Sequence, residues 1–168
     1  MRTQDMIAEA LAASKAGLAR YLPGFSDSNH TAQAANLPNH VAWSLGHCAL
    51  TMHRVAEKLD GKPLPDADFA KGQGRFDPES VAFGSTPAAN ASNYPTLARC
   101  IAIYDAACDR LAAAVRAAPE PKLLEPTPWG KIELPLWLLA IRMIFHNGMH
   151  TGQIADLRRA LGFKSIFA

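Results

Sequence analysis

Two of the six histidines, His146 and His150, stand four residues apart inside an apolar stretch that includes Leu139, Ile144 and Met149. At about 100° and 1.5 Å per residue, a helix sets the two imidazoles roughly 40° apart around its axis and about 6 Å apart along it. Both rings can then face one point, which is the spacing of a chelating pair. An unpartnered polar group in such surroundings costs about 1–3 kcal/mol, and a shared metal would satisfy both. Two imidazoles are an incomplete site, because catalytic zinc takes three protein ligands and leaves a fourth position for water or substrate. We assign the third ligand to His47, four residues after Trp43 and therefore on the same inward side of its helix. His53 lies roughly 120° further round and points elsewhere. His40 is about two turns away, a candidate for lining a pocket mouth, and His30 falls in a loop.

These residues need helices to position them, and the chain is built for helix. Alanine supplies 31 of the 168 residues, in runs such as Ala112, Ala113 and Ala114, and it loses no side-chain entropy in a helix. Apolar residues at three- and four-residue steps predict a first helix over 3–22, stopped by Pro23 and Gly24. A second is expected over 39–59, capped by Asn39 and ended by Gly61 and Pro63. Residues 61–93 are rich in Gly and Pro and hold no sustained period. They read as a long crossover with one helical turn after Asp77 and Pro78. A third helix is expected from about 93–95, with Pro95 in its first turn, through Val115, closed by Pro119 and Pro121. Residues 126–130 read as an extended turn and 134–161 as the fourth and most apolar helix, ended by Gly162. The fold class expected is all-α, a four-helix bundle with a long crossover between helices 2 and 3, forming one domain over 1–168.

Composition removes several classes of function. Lys and Arg number 17 against 15 Asp and Glu, so the chain lacks the basic footprint of a nucleic-acid binder. No apolar run approaches the roughly 20 residues that span a bilayer. The N-terminus meets Asp5 and Glu9 before any long apolar run and does not read as a secretory signal. The three cysteines, Cys48, Cys100 and Cys108, are an odd number without CxxC spacing and read as small core residues. A cytoplasmic protein without nucleic-acid or membrane partners is expected. Paired carboxylates, a phosphate loop and a Ser-His-Asp motif are all missing, and Asp66, Asp68, Asp77 and Glu79 read as solvated residues of the crossover.

The segment His146-Asn147-Gly148-Met149-His150-Thr151-Gly152-Gln153-Ile154, followed by Leu157-Arg158-Arg159 and Leu161-Gly162, resembles the helix-4 signature of the DinB-like (DNA-damage-inducible) four-helix bundles. That family includes S-transferases of bacterial low-molecular-weight thiols. Trp43, Leu45, Gly46 and His47 resemble its helix-2 pattern, and Pro128-Trp129-Gly130 the turn before its last helix. The resemblance spans most of the chain and puts the metal triad on His47, His146 and His150. It implies a divalent ion, zinc or nickel, with a low-molecular-weight thiol as co-substrate, a small-molecule substrate and a homodimer. Gln153 is a candidate to bond a ligand imidazole and Gly152 to admit close helix approach, although simple helix packing explains both. Trp129 either walls a substrate pocket or anchors its turn.

The function expected is that of a metal-dependent enzyme that activates a thiol, or water, for transfer to or hydrolysis of a small electrophile in detoxification. The alternative is a non-catalytic, dimeric, stress-related binding module whose metal site is structural or vestigial. No catalytic residue beyond the three ligands is assigned, since function resides in the site rather than the fold.

Overall fold

Four long helices dominate the computed structural model, which describes residues 1–167. They are α1 (Thr3–Ala19), α2 (Val41–Asp60), α3 (Leu97–Ala117) and, after a short α4 (Glu120–Leu124), the last helix α5 (Leu136–Ala160). Between α4 and α5 lies an antiparallel hairpin of β1 (Pro126–Trp129) and β2 (Ile132–Pro135), with Pro126 opposite Pro135 and Trp129 opposite Ile132. The fold is thus mostly helical with a small two-stranded sheet, where an all-α chain was expected. Gly130 takes φ +63° in the two-residue turn, a left-handed conformation that costs glycine little. Strands of four residues flanked by prolines carry too short a pattern to be read from sequence.

Side-chain contacts fix the direction of each helix. Lys15 with Asp109 (2.5 Å) and Glu9 with Arg116 (2.6 Å) set α1 antiparallel to α3. Asn147 donating to Ser14 and Arg158 donating to the Tyr21 carbonyl set α5 parallel to α1. Cys108 on Met52 and Arg110 on His53 set α3 parallel to α2. Parallel neighbours cannot be joined by a tight turn, since a helix of 20 residues rises about 30 Å and the chain has to return that distance. That return is the crossover after Gly61. Leu11, Leu18, Leu45, Leu50, Ile103, Leu111, Leu139 and Ile154 are fully buried between the four helices.

The crossover is tied down rather than loose. Phe69, Phe76 and Val81 are buried, and the Phe76 ring lies so close to Gly46 that a Cβ there would stand 2.6 Å from it. Arg99 donates to the carbonyls of Ala67 (2.8 Å) and Gly74 (3.1 Å) and pairs with Asp68 (2.7 Å). Arg110 grips the Asp60 carboxylate with two bonds of 3.0 Å. Asp68 is therefore not the solvated residue expected of it, whereas Asp66 and Glu79 are exposed.

Several boundaries differ from the expectation. Helix α1 stops at Ala19, three residues early. The residue that caps α2 is His40, whose Nδ1 accepts the Trp43 N–H (3.1 Å), not Asn39. Thr96 caps α3, while Asn90 caps a single 3-10 turn at Ala91–Asn93. The segment after Asp77 is a hydrogen-bonded turn without helix, in which Asp77 accepts from the Glu79 N–H. Pro121 sits in the first turn of α4. Phe163 packs edge-on against Phe25 at 5.0 Å. Among the described residues no helix is long and apolar enough to cross a membrane.

Candidate metal centre

The antiparallel faces of α2 and α5 bring His47, His146 and His150 together. Their ring centroids are 4.6–5.2 Å apart, and one nitrogen from each lies within 4.8 Å of the other two. His47 and His150 are buried, at 4% and 3% exposure, and His146 is half-buried on the solvent side. Trp43 stacks on His47 with ring centres 4.6 Å apart and planes 10° from parallel, and meets His150 edge-on at 5.9 Å. The Trp43 indole N–H in turn donates to the Ser80 carbonyl (3.1 Å) and Ser85 Oγ (2.9 Å). The aromatic wall of the site is thus Trp43, while Trp129 packs at the edge of the core as part of β1.

Each imidazole has its Nδ1 engaged by an acceptor. His47 donates to the Val81 carbonyl at 2.8 Å. His150 donates to Gln153 Oε1 at 2.8 Å, and that oxygen also accepts from Asn39 Nδ2 at 3.1 Å. His146 faces Thr51 Oγ1 at 3.4 Å, where the hydroxyl proton is already directed to the carbonyls of His47 and Cys48. With all three protons on Nδ1, every Nε2 presents a lone pair. Ligating histidines are oriented by outer partners of this kind.

Burial holds these rings neutral. His146 is pushed down to about 3 and His150 to about 4, first by desolvation and then by charge repulsion from the neighbouring imidazoles. His47 is lowered chiefly by burial as well. The donor set fits a divalent ion on geometry too. Ligands held about 2.1 Å from a tetrahedral ion lie about 3.4 Å apart, and the Nε2 atoms of His146 and His150 are 3.2 Å apart. Two lone pairs opposed at that distance repel, and either a cation between them or a proton on one Nε2, donated to the other, relieves the repulsion.

Residues 10–154 match the family profile of the DinB superfamily. The chain belongs to that superfamily. A crystal structure described as the conserved protein of locus from Enterococcus faecalis superposes on it with a TM-score of 0.73 at 16% identity, covering 96% of this chain and 99% of that one. At that identity the likeness shows a common fold. None of the curated proteins matches the chain.

The remaining histidines of this DinB-superfamily chain have structural duties. His40 is fully buried, not at a pocket mouth: besides capping α2 it bonds the Ala88 carbonyl through Nε2 (2.9 Å). His53 points away from the triad, as its spacing predicts, toward Phe69, Arg110 and Asp68. His30 bridges the carbonyls of Asp27 and Pro95. Cys48 lies wholly inside the core, and burial pushes the thiols of Cys100 and Cys108 up to about 12 and about 11, so all three are inert packing residues. Gly152 is exposed, with open space where a Cβ would go, and the close approach falls instead at Gly46. Gln153 does bond the imidazole of His150, a candidate ligand. A glutamine three residues after a histidine on one helix face carried that signal, whereas Thr51, Asn39 and the Val81 carbonyl gave none.

Proposed function

We propose that this DinB-superfamily protein is a metal-dependent enzyme whose zinc or nickel ion is held by His47, His146 and His150 and activates a low-molecular-weight thiol, or water, toward a small electrophile. The observation that carries the reading is the set of three converging Nε2 lone pairs, each ring fixed through Nδ1 by a separate acceptor. When bound, such an ion supplies Lewis acidity, lowering the pKa of a thiol or water in its open coordination position. The chain's own residues do the rest. Val81, Gln153 and Thr51 hold the imidazoles in one tautomer, Trp43 shields the inner side from water, and the half-buried His146 marks the side from which a small molecule enters. We read the four long helices as the four-helix bundle that positions these groups.

We further propose a homodimer. Ile141, Phe145 and Met149 recur at four-residue steps on α5 and are 38%, 73% and 45% exposed, an apolar row on the outer side of the helix that carries two of the ligands.

The test is metal analysis by plasma mass spectrometry on untagged protein purified without chelator, with His150→Ala alongside. About one zinc or nickel per chain in the wild type, lost in a variant that keeps its helicity, is the expected result. Full stoichiometry in His150→Ala, or none in reconstituted wild type, removes the metal reading and leaves a non-catalytic module.

A further inference from the structure

Lys71-Gly72-Gln73-Gly74-Arg75 is a glycine-rich turn of the crossover that the metal centre does not use. Gly72 and Gly74 take φ of +124° and +72°, conformations that cost glycine little. Gly72 has a second reason to lack a side chain, because a Cβ there would stand 2.9 Å from the Arg75 guanidinium. That guanidinium folds back over the turn and donates to the carbonyls of Lys71 (3.2 Å) and Asp66 (3.4 Å). The Gly74 carbonyl is taken by Arg99 at 3.1 Å. Among the described residues, the backbone N–H groups of residues 71–75 find no acceptor. The turn thus commits its carbonyls to arginines and leaves its donors free.

This turn is one wall of a cleft of about 690 Å³, whose other wall is the lead into α3 from Ser92 to Thr96. Small-molecule sites are of that size, about 300–1,000 Å³. Lys71 and Arg75 both line the cleft, and neither pairs with a carboxylate among the described residues. Arg75 is half-buried and held in place by carbonyls that do not neutralise it. The acid in the walls, Asp77, uses Oδ1 to accept the Glu79 N–H at 3.1 Å and keeps its other oxygen free. The carboxamides of Gln73 and Asn93 also line the cleft without an internal partner, and the buried Tyr94 and Pro95 close its floor.

We infer that this cleft binds a small phosphate monoester whose body carries hydroxyl groups, a molecule of the sugar-phosphate class. A phosphate group brings nearly two negative charges and three strong acceptor oxygens. That matches one fixed guanidinium, one mobile ammonium and a run of free backbone N–H groups, a donor set that a single carboxylate would leave largely unpaired. Phosphate alone would leave most of the cleft empty, so the ligand has a body. The groups that meet the body, the carboxamides of Gln73 and Asn93 and the free oxygen of Asp77, all bond hydroxyls. The Asp77 charge repels a second anionic group and so favours a monoester. The site shares no residue with the three histidines and stands without a metal.

Calorimetric titration of metal-free protein at low salt with glucose 6-phosphate, glucose and inorganic phosphate tests the assignment. The sugar phosphate is expected to bind about tenfold or more tightly than either of the others, and to shift the backbone amide NMR signals of Gly72, Gln73 and Gly74. Lys71→Gln removes a charge whose Nζ bonds nothing in the protein, so thermal unfolding stays unchanged while affinity for glucose 6-phosphate falls about threefold or more. Asp77→Asn is expected to weaken glucose 6-phosphate without weakening inorganic phosphate. Glucose 6-phosphate bound no better than glucose, or equally by wild type and Lys71→Gln, overturns the inference. Inorganic phosphate bound as tightly as the sugar phosphate overturns the assignment of a hydroxylated body.

Discussion

Gln153 offers the sharpest test of how the site is organised. Replacing it with leucine removes the acceptor of the 2.8 Å bond from His150 Nδ1 and of the 3.1 Å bond from Asn39. The His150 ring is then free to rotate or to move its proton to Nε2, the atom that has to remain a lone pair. Loss of an outer partner of a ligating histidine costs roughly 10–100-fold in metal affinity, which is about 1.4–2.7 kcal/mol. The buried Nδ1–H left without a partner lowers folding stability by about 1–3 kcal/mol as well. Thr51→Val removes a longer contact of 3.4 Å, and hydrogen bonds weaken steeply with stretch, so its effect is expected to be several-fold smaller. Gln153→Glu keeps an acceptor for both donors and is expected to retain or raise affinity. Competition against a chromophoric chelator measures all three, with circular dichroism as the check on folding. Folded Gln153→Leu binding metal within twofold of the wild type would refute the claim that this side chain orients His150.

Gly46→Ala brings a methyl to within 2.6–3.0 Å of the buried Phe76 ring. Overpacking of that kind costs about 1–3 kcal/mol and outweighs the better helix propensity of alanine; the melting temperature is expected to fall, with partial recovery on adding Phe76→Leu, and a melting temperature equal to or above the wild type's contradicts the reading. The buried His40 and His53 are each held near about 4 against an ordinary 6.5, by burial first and, at His53, by the Arg110 charge next. Between those values the unfolded chain binds more protons than the folded one. Their contribution is therefore complete above about pH 6.5 and is lost as the pH falls toward about 4, by about 1.4 kcal/mol per pH unit for each histidine. Urea unfolding of metal-free protein at pH 7.5 and 5 is expected to show this decline, shallower in His53→Gln, and an unchanged slope there argues against it. Finally, Phe145→Glu puts a charge into the exposed row on α5 and is expected to turn the proposed dimer into a monomer by sedimentation; a wild type that is already monomeric at tens of micromolar removes the proposal.

Helix existence and the shared face of His146 and His150 were legible in the sequence because both rest on short-range periodicity. His146 and His150 are brought to one face by the 3.6-residue repeat alone, and Trp43 marks the inner side of α2 on which His47 must lie. The exit of α2 was equally plain, since Gly61 at φ +70° is the left-handed residue that ends a helix. Residues whose role depends on a distant partner could not be read this way. His40 looked like a lining residue until the crossover supplied Ala88, and Asp68 looked solvated until Arg99 and His53 came within reach.

The sequence by itself determined a mostly helical protein and a set of imidazoles able to share one ion, because helical geometry converts spacing along the chain directly into direction in space. Only the tertiary structure decided which atoms of those rings face inward, since Val81, Thr51 and Gln153 reach them from a crossover and two separate helices. Packing also chose Gly46 over Gly152 as the place of close approach, by setting the Phe76 ring of the crossover against it. Residues 30 positions apart, as Gly46 and Phe76 are, carry no local pattern that could announce such a meeting.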